Sequence, residues 1–278
     1  MFVINHNTVT PVRREPSESC EQLTQLLFGE VCEVMDSLPR WTKIRSTQDG
    51  QEGWVDFKML TLIDYKIKNS FQKVYIENAI SDSYVVTPLA VATNMETGDE
   101  LILTFGTRLP NYIHGIFEVL NEQYLIDPKY VNNPEFFYNN FNGVELLNKI
   151  CSVAQTLLNA PYLWGGKNVM GIDCSGFTQV VYRVFGVNLL RNASEQITQG
   201  KDVLSLAEAL PGDLVFFDHF DRDPKATNIS HVGMLLDNKK IIHCSGCVHV
   251  DDIDDIGIHL VNGELTHHLV KIKRYINI

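Results

Sequence analysis

The sequence predicts two small all-β modules in series, followed by an α+β domain in which helices pack on an antiparallel sheet. Three observations carry that expectation. Short β-like runs with turn signals fill the first part of the chain. The stretch "DPKYVNNPEFFYNNFNG" at 127–143 then changes the composition to Asn, Pro and aromatics, and after it helical periodicity gives way to strand-like runs. The expected boundaries are 1–64, 65–130 and 131–278.

From Pro11 to about Ile63 the runs "GEVCEVMDS", "WTKIRS" and "GWVDF" are separated by "LPR" and "QDGQEG", which reads as a small barrel. Residues 65 to 127 repeat the logic with "YVVTPLAVATN", "GDELILTFGT" and "GIFEVLNEQYLI". Gly98-Asp99 opens a strand much as Gly29-Glu30 does, so a diverged tandem repeat is expected.

In the third segment Leu146, Leu147, Ile150, Val153, Ala154, Leu157 and Leu158 form one apolar face of a helix that stops before Pro161. A second helix begins in "MGIDCSGF", where Phe177, Val180, Val181, Val184 and Phe185 recur at amphipathic spacing and Asp173 is a good N-cap. Cys174 therefore falls in the first turn. There the unpaired N–H groups and the helix dipole favour the thiolate, although a free cysteine is more often one more buried apolar side chain. The remainder, "GDLVFF", "HVGMLLD", "KIIHCSG" and "LVKIKRYINI", is strand-like.

Composition narrows the function. The chain has 278 residues and a formal net charge of −11, with no basic run to offset it, which argues against nucleic acid or an anionic membrane as partner and suits a small peptide. No stretch approaches a membrane span, and "MFVINHNTVTPVRREP" has neither a basic n-region nor an apolar h-region. A cytoplasmic chain is expected unless a leader has been removed. Oligomeric state is not legible. The six cysteines, scattered at 20, 32, 151, 174, 244 and 247, read as reduced thiols.

A cysteine nucleophile needs a base and a group that orients the base. His231 opens "HVGMLLD" and His243 lies in the next run. If those strands form a hairpin with an odd loop such as 237–239, Leu236 faces Lys240 and His243 faces Gly233. The two histidines then share a face as diagonal neighbours about 7–8 Å apart. A two-residue loop would separate them.

Together "PYLWGG", "DCSGF", "LPGDLVFF", "HVGMLL" and "IIHCSG" resemble the NlpC/P60 family of bacterial cell-wall cysteine peptidases over about 140–278. The upstream modules resemble bacterial SH3 domains. A tandem pair ahead of the peptidase is similar to the γ-D-glutamyl-L-diamino-acid endopeptidases, which cut murein peptides after L-Ala-γ-D-Glu. The resemblance implies two SH3-like barrels before an α+β papain-like domain. It makes Cys174 the nucleophile, His231 the base and His243 the orienting residue, and it places the Tyr162 hydroxyl with the Cys174 N–H around the oxyanion. It also implies that Asp173, Ser175 and Glu21 hold the substrate's α-amine and that Ser194 contacts the peptide. Gln51 stands where members often carry an aromatic residue. No cofactor is called for.

Competing readings remain open beside these. Asp173 serves as an N-cap whatever else it does, Trp164 reads as a core aromatic, and Gly165, Gly166 and Gly176 read as positions of close packing. His219, His249, His259, His267 and His268 carry no motif, and "DDIDDIG" reads as a solvated acidic loop. The stretch "HCSGCVH" holds a CxxC flanked by His243 and His249, but a structural zinc site would need a second pair at suitable spacing, so no metal is expected. The same centre could serve another amide bond or an acyl transfer. A catalytically inactive wall-peptide-binding protein is the alternative from another class.

Overall fold

The computed structural model describes residues 1–63, 83–218, 228–260 and 262–276. The expected 64/65 boundary, His219 and residues 224–227 of the loop before His231 lie outside them.

Strands β1 (Phe2–Asn5), β2 (Val9–Arg13), β3 (Gln22–Leu27), β4 (Val31–Ser37), β5 (Trp41–Ser46), β6 (Glu52–Asp56) and β7 (Leu60–Leu62) form one sheet in the order β3-β2-β6-β5-β4-β1-β7. Inward side chains such as Val12, Leu26, Ile44 and Val55 build its core, as period-two alternation requires.

The second module consists of β8 (Ser83–Val85), β9 (Leu89–Asn94), β10 (Glu100–Thr104), β11 (Arg108–Leu109), β12 (Ile116–Val119), β13 (Glu122–Ile126) and β14 (Val131–Asn132). Because β14 pairs with β8, residues 131–132 belong to this module and not to the domain after it. The tandem repeat is visible, but its register differs from the expected one. Gly29 and Gly106, both at positive φ, follow Phe28 and Phe105 in matching turns. Asp56 and Asp127 each accept from the backbone N–H two residues on, starting a short 3₁₀ turn in each module. Gly106, rather than Gly98, is thus the counterpart of Gly29. The modules are not beads on a string, since Ile4, Phe28 and Val31 of the first enter the core of the second.

The third domain opens with α1 (Pro134–Asn140) and α2 (Gly143–Gln155). Leu146, Leu147, Ile150, Ala154 and Leu157 are buried as periodicity predicts, but Leu158 is exposed because the helix has already ended at Gln155. A small ribbon, β15 (Lys167–Asn168) with β16 (Gly171–Ile172), leads into α3 (Cys174–Arg183), followed by the short α4 (Ala193–Gln196). Then come β17 (Lys201–Val203), β18 (Leu214–Asp218), β19 (His231–Leu235), β20 (Lys240–Ser245), β21 (Cys247–Ile253), β22 (Gly257–His259) and β23 (Leu265–Arg274).

The sheet runs β17-β23-β18-β19-β20-β21-β22, and β22 pairs with β23 as well, so the expected antiparallel sheet closes into a barrel with β17 outside it. Alternation divides its side chains. Val215, Phe217, Leu235 and Ile241 fill the barrel, while Leu214, Phe216, Met234 and Ile242 pack with α2 and α3. The domain is β-rich, with few and short helices.

The sequence suggested an amphipathic α3, yet every residue of it is buried. The first module covers its polar side. Glu30 receives the Arg183 guanidinium and the Lys167 ammonium, and Asp49 accepts from Gln179 at 2.9 Å. Removing one member of such a buried charge cluster costs about 3–5 kcal/mol, so the module and the domain are coupled in folding. Among the described residues no helix is long and apolar enough to cross a membrane, and all six cysteines are free thiols.

Candidate active site

Asp173 caps α3 as its sequence predicts, Oδ1 accepting from the Gly176 N–H at 2.6 Å, which places Cys174 at the first helical position. The helix start fits tightly against the "PYLWGG" loop. A Cβ on Gly176 would lie 2.2 Å from the Gly166 oxygen, and one on Gly165, at φ +73°, 2.6 Å from the Gln22 oxygen.

The hairpin of β19 and β20 has the odd loop that the catalytic reading demands, with Gly233 opposite His243 and the Leu236 N–H bonded to the Lys240 oxygen. His231 Nε2 and His243 Nδ1 meet at 2.8 Å. On its other side His243 Nε2 faces Asp251 Oδ2 at 3.1 Å. Asp251 is therefore no solvated loop residue. It lies on β21, where period two puts Cys247, His249 and Asp251 on one face and pairing puts His249 opposite His243.

These contacts fix the protons. The Asp251 hydrogen bond from His243 outweighs burial and holds the carboxyl below its usual value, so it is ionised and only accepts. Burial holds the His243 imidazole below its usual value, and so neutral. Its single N–H must be on Nε2, donating to Asp251, and its Nδ1 must accept from the His231 Nε2–H. A neutral His231 then carries its lone pair on Nδ1.

The thiol does not behave as the helix start alone suggests. Cys174 is 8% exposed, and burial pushes it up to about 12, with the Asp173 charge acting in the same direction. The Val232 and Ser175 N–H groups only partly oppose this. The free protein thus holds a thiol that must lose its proton as it attacks. Carboxamidomethylation of Cys174 is accordingly expected to quicken steadily as pH rises from neutral toward 10. Mass spectrometry of the Cys174 peptide checks this, and a rate that is already level at acid pH would reveal a preformed thiolate.

A cleft of about 430 Å³ opens over Cys174, walled by Tyr162, Trp164, Asp173, Ser175, Ser194 and, from the first module, Leu23. Burial, reinforced by Cys174 and Asp173, pushes the Tyr162 hydroxyl up to about 12, so it stays a donor. Trp164 is not a core aromatic. It is 60% exposed, its Nε1–H donating to Glu21 Oε1 at 2.9 Å.

The expected amine pocket is only partly assembled. Asp173 is consumed by Arg191, which donates to Oδ1 at 3.0 Å and Oδ2 at 2.6 Å, while the Gly165 N–H takes Oδ2 as well. Ser175 Oγ lies in the same network, donating to Asp173 and accepting from Arg191. Glu21 pairs with Arg14 at 2.6 Å and reaches the cleft only through Trp164. Gln51 stays behind Asn192, 3.5 Å from its amide, and does not line the cleft.

Sequence reasoning missed Arg191, Asp251, His249 and His267. Arg191 is 1% exposed and also donates to Thr24 of the first module at 2.7 Å, tying that module to the cap of the nucleophile helix. Its only signal was a cation between the apolar pair Leu189-Leu190 and Ala193. Asp251 and His249 were signalled by their i, i+2 spacing. The His267 ring lies against His231 with centroids 4.3 Å apart, a contact made where β23 and β19 flank β18. The CxxC does not join the histidines, because Cys244 alternates to the opposite face and donates to the Ile172 oxygen.

Comparison with known proteins agrees with this architecture. Residues 159–261 match the NlpC/P60 family, and residues 12–60 match the bacterial dipeptidyl-peptidase Sh3 domain. Gamma-D-glutamyl-L-lysine dipeptidyl-peptidase of Bacillus cereus is 27% identical over 79% of this chain and 66% of its own length. Its Bacillus subtilis namesake is 27% identical over 79% of this chain and 71% of its own. A solved NlpC/P60 family protein from Bacillus cereus superposes with a TM-score of 0.77 at 19% identity, covering both chains completely, and so shares the fold. With a buried thiol at a helix start, a histidine pair on a barrel hairpin and a β module walling the cleft over the thiol, the chain carries an NlpC/P60 domain preceded by a bacterial SH3 domain.

Proposed function

We propose that the protein is a cysteine endopeptidase hydrolysing the bond between γ-D-Glu and a diamino acid in murein peptides that begin with a free L-Ala. The observation that carries the reading is the hydrogen-bonded chain Asp251–His243–His231, on the strand whose Val232 N–H reaches the Cys174 thiol. A neutral His231 in that chain carries its lone pair on the nitrogen turned away from its orienting partner, one residue before the strand's contact with the thiol. The papain-like placement of a nucleophile helix against a barrel supports it, as do the two relatives named gamma-D-glutamyl-L-lysine dipeptidyl-peptidase.

In this mechanism His231 Nδ1 takes the Cys174 proton as sulfur attacks the scissile carbonyl, and the oxyanion receives the Cys174 N–H and the Tyr162 hydroxyl. The imidazolium of His231 gives its proton to the leaving amine. Water, deprotonated by the same nitrogen, then releases the acyl group. Ser194 and Ser175 line the path of the peptide. Asp173, neutralised by Arg191, acts as cap and scaffold for the cleft and not as a free anion. The first module selects substrate by closing one end of the cleft with Leu23 and with Glu21, which holds Trp164 of the facing loop. We place turnover of soluble murein peptides, rather than intact wall, as the role of such a closed site.

The test compares L-Ala-γ-D-Glu-diaminopimelate with its N-acetyl form by mass spectrometry of products. Release of L-Ala-γ-D-Glu from the free peptide only is expected. Equal rates on both would remove substrate gating from the first module, and cleavage of neither would overturn the assigned bond.

A further inference from the structure

His249 stands in a position that a neutral imidazole cannot satisfy. Its Nδ1 lies 2.7 Å from the Cys247 carbonyl oxygen and its Nε2 lies 3.0 Å from Asp251 Oδ2. Both partners accept and neither donates, whereas neutral histidine brings one N–H. With a neutral ring the site is short of one donor. His243 Nε2 approaches the same Asp251 oxygen from the other side, and the three ligand atoms lie within 4.8 Å of one another. Two imidazole nitrogens and a carboxylate oxygen are a zinc donor set, and zinc ligands sit roughly 3.4 Å apart on a tetrahedron of ordinary bond lengths. The 3.0 and 3.1 Å contacts need to open by only a few tenths of an ångström. His249 already has its Nδ1–H fixed on a backbone carbonyl, the outer contact that normally aims Nε2 at a metal. Its side chain is 31% exposed and gives a route in, while His243 behind it is 1% exposed.

We propose that His243, His249 and Asp251 form a site for zinc or a similar divalent transition cation, and that its occupation switches the peptidase off by reversing the tautomers behind the thiol. A metal on His243 Nε2 sends that proton to solvent. The proton between the rings then moves from His231 Nε2 to His243 Nδ1, and His231 takes one from solvent on Nδ1. The nitrogen that faced the thiol as a base now carries a hydrogen. His249 binds through Nε2 while its Nδ1–H stays on the Cys247 carbonyl. The site thus inhibits from behind the histidine pair without touching Cys174. This regulatory half rests on the peptidase reading, but the binding half does not.

The two are separated by measuring binding on the inactive Cys174→Ala protein, which also removes the thiol as a competing ligand. Zinc is titrated against a chelating dye. Cobalt(II) serves as a spectroscopic probe, which should show nitrogen and oxygen coordination and no thiolate charge-transfer band. His249→Gln and Asp251→Asn in that background should each weaken zinc by about tenfold or more. In the enzyme with Cys174 intact, His249→Gln should need about tenfold or more zinc for half-inhibition, each enzyme being read against its own zinc-free turnover. The proposal is overturned if Cys174→Ala binds no zinc in the micromolar range and ring nitrogen NMR shows His249 as a plain imidazolium. It also fails if inhibition persists unchanged in His249→Gln, which would place the metal on the thiol. Zinc binding as proposed with no effect on turnover would overturn the tautomer switch alone.

Discussion

Alanine at Cys174 is expected to lower kcat on L-Ala-γ-D-Glu-diaminopimelate by about 10⁴-fold or more while the fold survives. The thiol sits at the first position of α3, where the cap is supplied by the Asp173 side chain and not by Cys174 itself. Its sulfur borders the cleft, so the substitution enlarges an existing space instead of opening a sealed void in the core. The charge network around Asp173 and Arg191 does not involve the sulfur as a hydrogen-bonding partner. Progress curves followed by mass spectrometry, with thermal unfolding as a control, check both halves. Residual activity of roughly a tenth or more in a clean preparation would remove Cys174 from the chemistry, since loss of a nucleophile ordinarily costs several orders of magnitude.

The second large effect is expected at a residue that never touches substrate. Asp251→Asn should lower kcat by about 10²–10⁴-fold with KM little changed, because a wrong tautomer in a comparable triad costs about 10⁴-fold. An amide at 251 can turn its NH₂ toward His243 Nε2. His243 then accepts there and must carry its proton on Nδ1, donating to His231 Nε2 and leaving His231 Nδ1 protonated where it should be a base. The shape of the site barely alters, so stability should not fall in proportion. The pH profile separates this from mere loosening. Turnover in the variant should recover in part as pH rises and the thiol, displaced upward by burial, begins to ionise without help. An Asp251→Asn enzyme with unchanged kcat at neutral pH would show that His231 does not depend on the chain behind it.

Some of this site was legible because its causes are local. A carboxylate three residues before a glycine N–H caps a helix through contacts within one turn, so Asp173 and the position of Cys174 follow from "DCSG". The parity of one loop decides which faces of two adjacent strands meet, so "HVGMLLDNKKIIH" reduced the meeting of His231 and His243 to that parity, which the structure shows to be odd. Asp251 escaped because "DDIDDIG" carries the composition of a loop. Only the pairing of β20 with β21 puts one of its carboxylates behind His243 while its neighbour Asp252 turns to Lys240. Likewise the repeat was legible as two β modules, but its register was not, since Gly29 and Gly106 are matched by turns and not by the residues beside them.

The sequence by itself determined the order of the three segments and the helix start that presents the thiol, and it reduced the shared face of the two histidines to the parity of one loop. Only the tertiary structure decided the state of the groups so presented. The first module buries α3 through Gln179 and Asp49, 130 residues apart, and Arg191 reaches Thr24, 167 residues away, while neutralising Asp173. Capping and strand parity act over a few residues, but desolvation and counter-charge come from whatever the fold brings alongside. That is why the helix start promised a thiolate and the assembled protein holds a buried thiol.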